Sequence, residues 1–300
     1  MSIDAYIREI GRGHDHAKSL DRAQARDLMG QILDGRVSDL ELGAFCVAMR
    51  IKGESAEELT GFMQAAHERL RTFDSHAPVI VIPSYNGARR LPLLTPLLAG
   101  LLAQQGFPVL IHGMATENAR VTCQSVIEAL QWPVLQDVRP LHAGEVVFVP
   151  TQVLSDGLQR LLDVRRVIGL RNSGHSLAKL LVPLARPGLL ITSYTHPEYA
   201  TTMSQALALS NINAMLLRGT EGEAVADPRR LPMLEAVWQQ QRITLAEAQT
   251  GPLGQLPELP NDIDPHSTSI YIQRALADHL LVPKSICEQV NFVLKLMKII

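Results

Sequence analysis

The sequence predicts an α/β protein, with a small all-helical domain over residues 1–75 and a large α/β domain with a mainly parallel sheet over residues 76–300. Three observations carry this. Residues 1–70 hold helix start signals, apolar faces at helical spacing and stop signals, with no strand-like run. From about Pro78 onward, short unbroken apolar runs alternate with segments of crossover-helix length. Aromatic residues make up 4% of the chain against 46% hydrophobic residues. Packing therefore rests on Leu, Ile, Val, Ala and Met, which suit helices and strands buried on both faces.

Taken in order, Ile3, Tyr6, Ile7 and Ile10 recur at helical spacing and define a first helix. Asp21 with Gln24 opens a second as a capping box, because an N-cap oxygen satisfies a backbone N–H that has no partner inside the helix. Ala25, Leu28, Met29 and Ile32 form its face and Gly35 stops it. Ser38 with Glu41 starts a third helix carrying Leu42, Phe45 and Met49, and Ser55 with Glu58 a fourth carrying Leu59, Phe62 and Met63. Strands are expected at Val79–Ile82, Val109–His112, Val146–Val149, Leu189–Ser193 and Ala214–Leu217. Thr95–Gln105, Val121–Leu130 and Pro197–Leu209 fit crossover helices. Thr250–Pro265, rich in Gly and Pro, reads as an exposed loop, and residues 285–300 end on an apolar, helix-like run.

The formal net charge of -2 hides an uneven distribution. Between Gln159 and Leu190, Arg160, Arg165, Arg166, Arg171, Lys179 and Arg186 face Asp163 alone, a local balance of +5, whereas residues 1–70 carry a balance of -3. Local density, not the total, decides attraction to phosphates. A solvated helix face with a few ion pairs is the plainer reading of the same run. Cys46, Cys123 and Cys287 show no CxxC spacing and read as thiols in a reducing compartment. The first residues lack an apolar run of signal length, and no stretch approaches the roughly 18 apolar residues that cross a bilayer. A cytoplasmic protein with no membrane partner is expected.

Ser19–Phe62, SLDRAQARDLMGQILDGRVSDLELGAFCVAMRIKGESAEELTGF, closely resembles the helical N-terminal domain of the family 3 glycosyltransferases, which include anthranilate phosphoribosyltransferase and the pyrimidine nucleoside phosphorylases. Later segments match in order: HG after a strand, RNSGHSLAKLLVPLA, SYTHPEY before a helix, and LLRGTEGE after the next strand. The resemblance spans roughly residues 4–230. It implies the fold of the nucleoside phosphorylases and class II phosphoribosyltransferases, with a cleft between the two domains and a homodimer built through the helical one.

The same resemblance exposes three rewritten motifs. In the enzymes a GTGGD loop after the first strand of the large domain binds the diphosphate of phosphoribosyl pyrophosphate through bare backbone N–H groups. Here the loop reads Pro83-Ser84-Tyr85-Asn86-Gly87: Pro83 lacks a donor, and Tyr85 is expected to fill the phosphate space. The KHGNRSxSS loop of the enzymes keeps only His112 and Gly113 and continues Met114-Ala115-Thr116-Glu117, placing an acid where a phosphate needs donors. The magnesium-binding Asp-Glu pair corresponds to Glu221 and Glu223, which read first as a solvated acidic loop and otherwise as weak metal candidates. Arg171 matches the arginine of the anthranilate site.

IPSYNGAR, EIGRG and RNSGHSLAKL together resemble a non-biosynthetic branch of the family, the YbiB-like proteins. That resemblance implies a dimer that binds DNA or RNA with little sequence preference and transfers no phosphoribosyl group. The candidate phosphate contacts are Arg89 and Arg90 beside the rewritten loop, Arg165, Arg166, Arg171 and Lys179 from the basic segment, and Arg8, Arg12 and Lys18 from the helical domain. Tyr85 is a candidate for stacking on a base. Ser84, Tyr85, Asn86, Gly87, His112, Gly113, Thr116 and His175 mark the former substrate cleft. No catalytic residue and no cofactor are expected. Arg50 and Lys52 read as exposed charges at a helix end, and His14, His16 and His196, like His112 and His175, as packing or loop residues without a metal pattern. The alternative is a phosphoribosyl or pentosyl transferase of altered specificity, with Ser84, Asn86 and Thr116 as donors and magnesium on Glu221 or Glu223. A sensor that holds a cleft ligand without turning it over is a third reading.

Overall fold

The computed structural model describes residues 2–13, 16–115, 119–254 and 256–298. Four helices come first: α1 (Ile3–Ile10), α2 (Arg22–Leu33), α3 (Asp39–Lys52) and α4 (Ala56–His67). There follow β1 (Ile80–Ser84), α5 (Thr95–Gln104), β2 (Val109–Gly113), α6 (Cys123–Ala129) and β3 (Val146–Pro150). Next come α7 (Thr151–Leu154), α8 (Asp156–Ile168), α9 (Ser173–Ala178), β4 (Leu189–Tyr194), α10 (Pro197–Leu209) and β5 (Ala214–Arg218). The chain closes with β6 (Leu234–Trp238), β7 (Gln241–Ala246), α11 (Pro265–Ala277) and α12 (Lys284–Met297).

All three predicted capping boxes form: the side chains of Asp21, Ser38 and Ser55 accept from the backbone N–H of Gln24, Glu41 and Glu58, and each N3 side chain reaches back to its N-cap. Helices α2 and α4 pack closely because Gly61 has no side chain; a Cβ there would lie 2.5 Å from the Arg22 carbonyl oxygen. Helices α8 and α9, from the middle of the chain, also pack against this N-terminal group. Among the described residues, no helix is long and apolar enough to cross a membrane.

The seven strands lie in the order β3-β2-β1-β4-β5-β6-β7. The first five are parallel and β6 and β7 antiparallel. The chain runs outward from β1 through β2 to β3, then returns to the other side of β1 at β4. That reversal leaves a crevice beyond the carboxyl ends of β1 and β4, the place where open α/β sheets hold ligands. Alternating residues of β1 serve two cores: Val81 faces the layer with the N-terminal helices, and Ile80 and Ile82 face the layer with α5, α6, α11 and α12. Pro83 is tolerated in this central strand because β1 pairs with β4 only through Ile80 and Val81, so the missing N–H falls beyond that ladder.

One reading of the helical region needs correcting. Arg50 is exposed, as expected, but Lys52 is not: its side chain is 8% exposed and its ammonium lies 2.6 Å from Glu58, whose side chain is fully buried. Glu58 also accepts from the N–H groups of Leu20 and Ser55, which ties the segment before α2 to α4. Three donors converge on one carboxylate, so its loss strands a buried ammonium. Glu58→Ala is expected to destabilise the fold by about 3–5 kcal/mol. Glu41→Ala, which removes half of an exposed capping box, should cost about 1 kcal/mol or less. Urea unfolding of the two variants checks this; equal losses would overturn it.

Candidate functional site

The crevice is bounded by three loops: the one after β1, the one after β4 and the one after β5. Past Ser84 the chain turns through Tyr85, Asn86 and Gly87, and Gly87 takes a positive φ of 69°. A Cβ on Gly87 would lie 2.7 Å from the Val121 carbonyl oxygen, so this glycine of the loop has a structural reason to be there. The backbone N–H groups of Asn86 and Gly87 point to one spot, as they would in a phosphate loop.

That spot is filled by the chain itself. Glu223 Oε1 accepts from both N–H groups at 2.8 Å, and Oε2 accepts from Ser84 Oγ at 2.5 Å and Thr95 Oγ1 at 3.1 Å. Glu223 is 1% exposed. The loop from β5 thus inserts a carboxylate into the anion nest at the end of β1. This overturns two expectations. Glu223 is neither part of a solvated acidic loop nor disposed to hold a metal, since its two oxygens already take four hydrogen bonds; among the described residues no group of three potential metal ligands exists. Nor does Tyr85 fill the phosphate space. It shares the face of β1 that Val81 presents to the N-terminal helices, and it is 3% exposed. Burial pushes its phenol above the ordinary tyrosine range, and it offers no face to a base.

Around Tyr85 the polar atoms are satisfied in a chain. Thr151 Oγ1 donates to the Tyr85 oxygen at 3.1 Å, and Tyr85 lies 2.9 Å from His112 Nδ1. His112 Nε2 lies 3.3 Å from the Leu181 carbonyl, which only accepts, so the ring carries its proton on Nε2 and its Nδ1 accepts a hydrogen bond from the Tyr85 hydroxyl. Burial brings His112 down to about 4, a neutral packing residue as read from the sequence. Gly113 follows it in β2 against the Ser84 carbonyl. Thr116 and Glu117 lie outside the described residues.

Glu221, two residues before the plug, has a different setting. Its Oε2 accepts from the backbone N–H groups of Arg89, Arg90 and Leu91 at 2.8, 3.1 and 3.4 Å. Glu221 itself adopts φ 52°, a left-handed conformation uncommon for a residue other than glycine. The exposed side chains of Arg89 and Arg90 join Arg120 and Arg229 around a cavity of about 430 Å³ at this loop. Sequence reasoning found Arg89 and Arg90 but missed Arg120 and Arg229, which arrive from other segments of the chain.

On the other side of the loop lies the interdomain cleft, a cavity of about 460 Å³. Arg50 and Glu54 line it from the helical side, and Arg171, His175 and Lys179 from around α9. His175 Nε2 is buried without a hydrogen-bond partner among the described residues. Burial, then the charges of Arg171, Arg165 and Lys179, bring His175 down to about 3. Lys179 does not reach outward for phosphate. Its ammonium donates to the Gly222 carbonyl at 2.8 Å, holding the plug loop from beneath, and burial brings it down to about 8 against the attraction of Glu223.

The remaining basic candidates are dispersed. Arg166 is exposed, with Nε 3.3 Å from Asp163, and Arg165 is half-buried. Arg8 pairs with Asp4 and Arg12 with Glu9 on exposed surface, and Lys18 is exposed. The structure therefore brings Ser84, Asn86 and Gly87 together with Glu223, and Arg89 and Arg90 together with Glu221. It leaves Arg8, Arg12 and Lys18 on the helical domain.

If Glu223 is the internal substitute for a bound anion, its removal leaves two buried N–H groups and two hydroxyls without it. Glu223→Ala is expected to lose about 2–4 kcal/mol in urea unfolding. Added acetate, the shape of the group deleted beyond Cβ, should raise the variant's melting temperature and leave the parent protein unchanged. A variant as stable as the parent would refute the assignment.

The helical bundle domain of the glycosyl transferase family matches residues 4–69. The YbiB protein of Escherichia coli (strain K12) is 40% identical over 300 residues, covering 95% of this chain and 91% of its own. An anthranilate phosphoribosyltransferase from Symbiobacterium thermophilum is 26% identical, over 73% of this chain and 65% of that enzyme. In fold, the chain is similar to the anthranilate phosphoribosyltransferase of Thermus thermophilus, with TM-score 0.68 at 19% identity over 91% of this chain and 81% of that one. It is also similar to the enzyme from Saccharomyces cerevisiae in complex with PRPP and Mg, with TM-score 0.69 at 14% identity over 99% and 88%. The chain belongs to the anthranilate phosphoribosyltransferase-like glycosyl transferase family 3, as a YbiB-like member.

Proposed function

We propose that this protein binds nucleic acid, DNA or RNA, with little sequence specificity and does not transfer a phosphoribosyl group. The observation that carries the reading is an arginine rim (Arg89, Arg90, Arg120 and Arg229) beside a phosphate loop whose own donors are already committed to Glu223. Guanidinium groups at a surface attract a phosphate chain by releasing its condensed counterions, which needs no base-reading motif. Arg166 extends the basic surface, whereas Arg8 and Arg12 contribute less because each faces an acid on its own helix or next to it. A transferase would require its diphosphate donor to evict a buried carboxylate held by four hydrogen bonds, and the next N–H groups of the loop, those of Arg89, Arg90 and Leu91, are held by Glu221.

The protein acts in this proposal as a homodimer through the helical domain. On α3, Leu40, Ala44, Val47 and Ile51 recur at helical spacing and are all exposed, Leu40 at 84%. An apolar stripe of this kind on the outer face of a helix is what a second copy would cover. It would also bring two arginine rims onto one particle.

Fluorescence anisotropy with labelled single- and double-stranded oligonucleotides tests the binding. Affinity should fall with salt at a logarithmic slope of roughly -3 to -4 if four phosphates are contacted, and the Arg89→Gln, Arg90→Gln double variant should flatten the slope by about 2. Absence of binding at low salt, or turnover of phosphoribosyl pyrophosphate, would sink the reading. For the dimer, Val47→Asp should convert the particle to a monomer in sedimentation velocity with its helical content intact; a parent protein that sediments as a monomer removes that part.

A further inference from the structure

The cavity beside the plugged loop has an arrangement that general attraction to phosphate does not account for. Its lining places an acid, Glu221, among four arginines. Arg229 is also paired with Asp227, at 2.7 and 2.9 Å, so part of the positive charge around the cavity is already balanced. A carboxylate in the middle of such a ring repels a fully ionised anion. Its retention there needs a chemical reason.

Hydrogen bonding supplies one. Glu221 Oε2 is committed to the three backbone N–H groups of Arg89, Arg90 and Leu91. Glu221 Oε1 accepts nothing among the described residues, and the side chain lines the cavity. The backbone of Glu221 sits at φ 52°. A free acceptor oxygen inside a cationic pocket suits an anion that carries a proton of its own. A phosphomonoester or inorganic phosphate is such an anion in mildly acidic solution, at about pH 6 and below, since the second ionisation of a phosphomonoester lies near pH 6. Sulfate, of the same shape, has no proton to give, and neither has a phosphodiester inside a nucleic-acid chain.

We propose that the cavity lined by Arg89, Arg90, Arg120, Arg229 and Glu221 is a phosphomonoester site, in which the arginines take the ionised oxygens and Glu221 Oε1 accepts the remaining P–O–H. The ligand is a terminal phosphate, either at the end of a nucleic-acid strand or on a small molecule. The inference rests on the rim being the phosphate-facing surface proposed above and adds to it a preference for ends over internal phosphodiesters.

Calorimetric titration of the whole protein with inorganic phosphate and with sulfate, at matched ionic strength, tests it. At about pH 6 phosphate should bind about tenfold more tightly than sulfate, and the advantage should shrink at about pH 8 as the proton is lost. Glu221→Gln keeps an amide oxygen for the three N–H groups and turns an NH₂ towards the ligand. Sulfate should then bind as well as phosphate. Equal affinities in the parent protein, no binding of either anion, or indifference to the Arg89→Gln, Arg90→Gln pair would each overturn the proposal. Oligonucleotides with a 5′-phosphate or a 5′-hydroxyl, and glycerol 3-phosphate as competitor, separate the two sources; a preference for either phosphate supports the site. Salt-sensitive oligonucleotide binding without phosphate-over-sulfate discrimination would remove this site and leave nucleic-acid binding standing. Discrimination without oligonucleotide binding would do the reverse.

Discussion

The carboxylate of Glu223 in the donor nest after β1 is the contact on which the rest of the site depends. It joins segments 136 and 137 residues apart in sequence, and it closes the loop of β1 onto the loop of β5. An internal ligand of this kind acts at an effective concentration of millimolar or more without losing translational freedom on binding. A free diphosphate would have to match those four hydrogen bonds, break the existing ones and leave the displaced carboxylate a buried charge without partners. The phosphate loop is therefore a structural joint. Its single glycine, Gly87, is needed for its turn against Val121 and for presenting one of the two N–H groups.

The joint has consequences on both sides. Towards the cleft, Lys179 and Ser193 both donate to the Gly222 carbonyl, so the cleft floor and the plug loop share atoms. A basic side chain that sequence alone places on the surface is thereby turned inward. Towards solvent, Glu221 organises the backbone of Arg89–Leu91 and leaves the arginine side chains facing outward. Charge that looked like one basic segment in the sequence is divided among an internal brace, a cleft wall and exposed ends. The densest exposed cluster instead combines arginines from separate stretches of the chain.

Much of the fold was legible because its signals are local. The capping boxes of α2, α3 and α4 are read from four residues each, and all form. Strands β1 to β5 were visible as unbroken apolar runs, which is how strands covered on both faces must look. Strand β7 was not: Gln241–Ala246 is an edge strand, exposed along most of its length, and its composition is that of a loop. At the site, the damage to the loop was legible and its replacement was not, since no periodicity links Glu223 to Asn86. Tyr85 had a usable signal: four residues after Val81 on an extended chain, it lies on the same face and so turns into the core.

Glu221 and Glu223 are separated by one residue and have opposite uses, and burial decides the difference. Glu223 has every lone-pair direction occupied and no contact with solvent, so nothing diffusible can reach it without unfolding the loop. Glu221 is half-buried with one oxygen anchored, which fixes the other at the wall of the arginine cavity. A mobile surface glutamate would pair with whichever guanidinium was nearest and cancel it. One tethered by three N–H groups cannot swing to do so. The same inserted loop thus removes one anion site from the fold and, by pinning an acceptor among cations, sets the terms on which an anion can occupy the next.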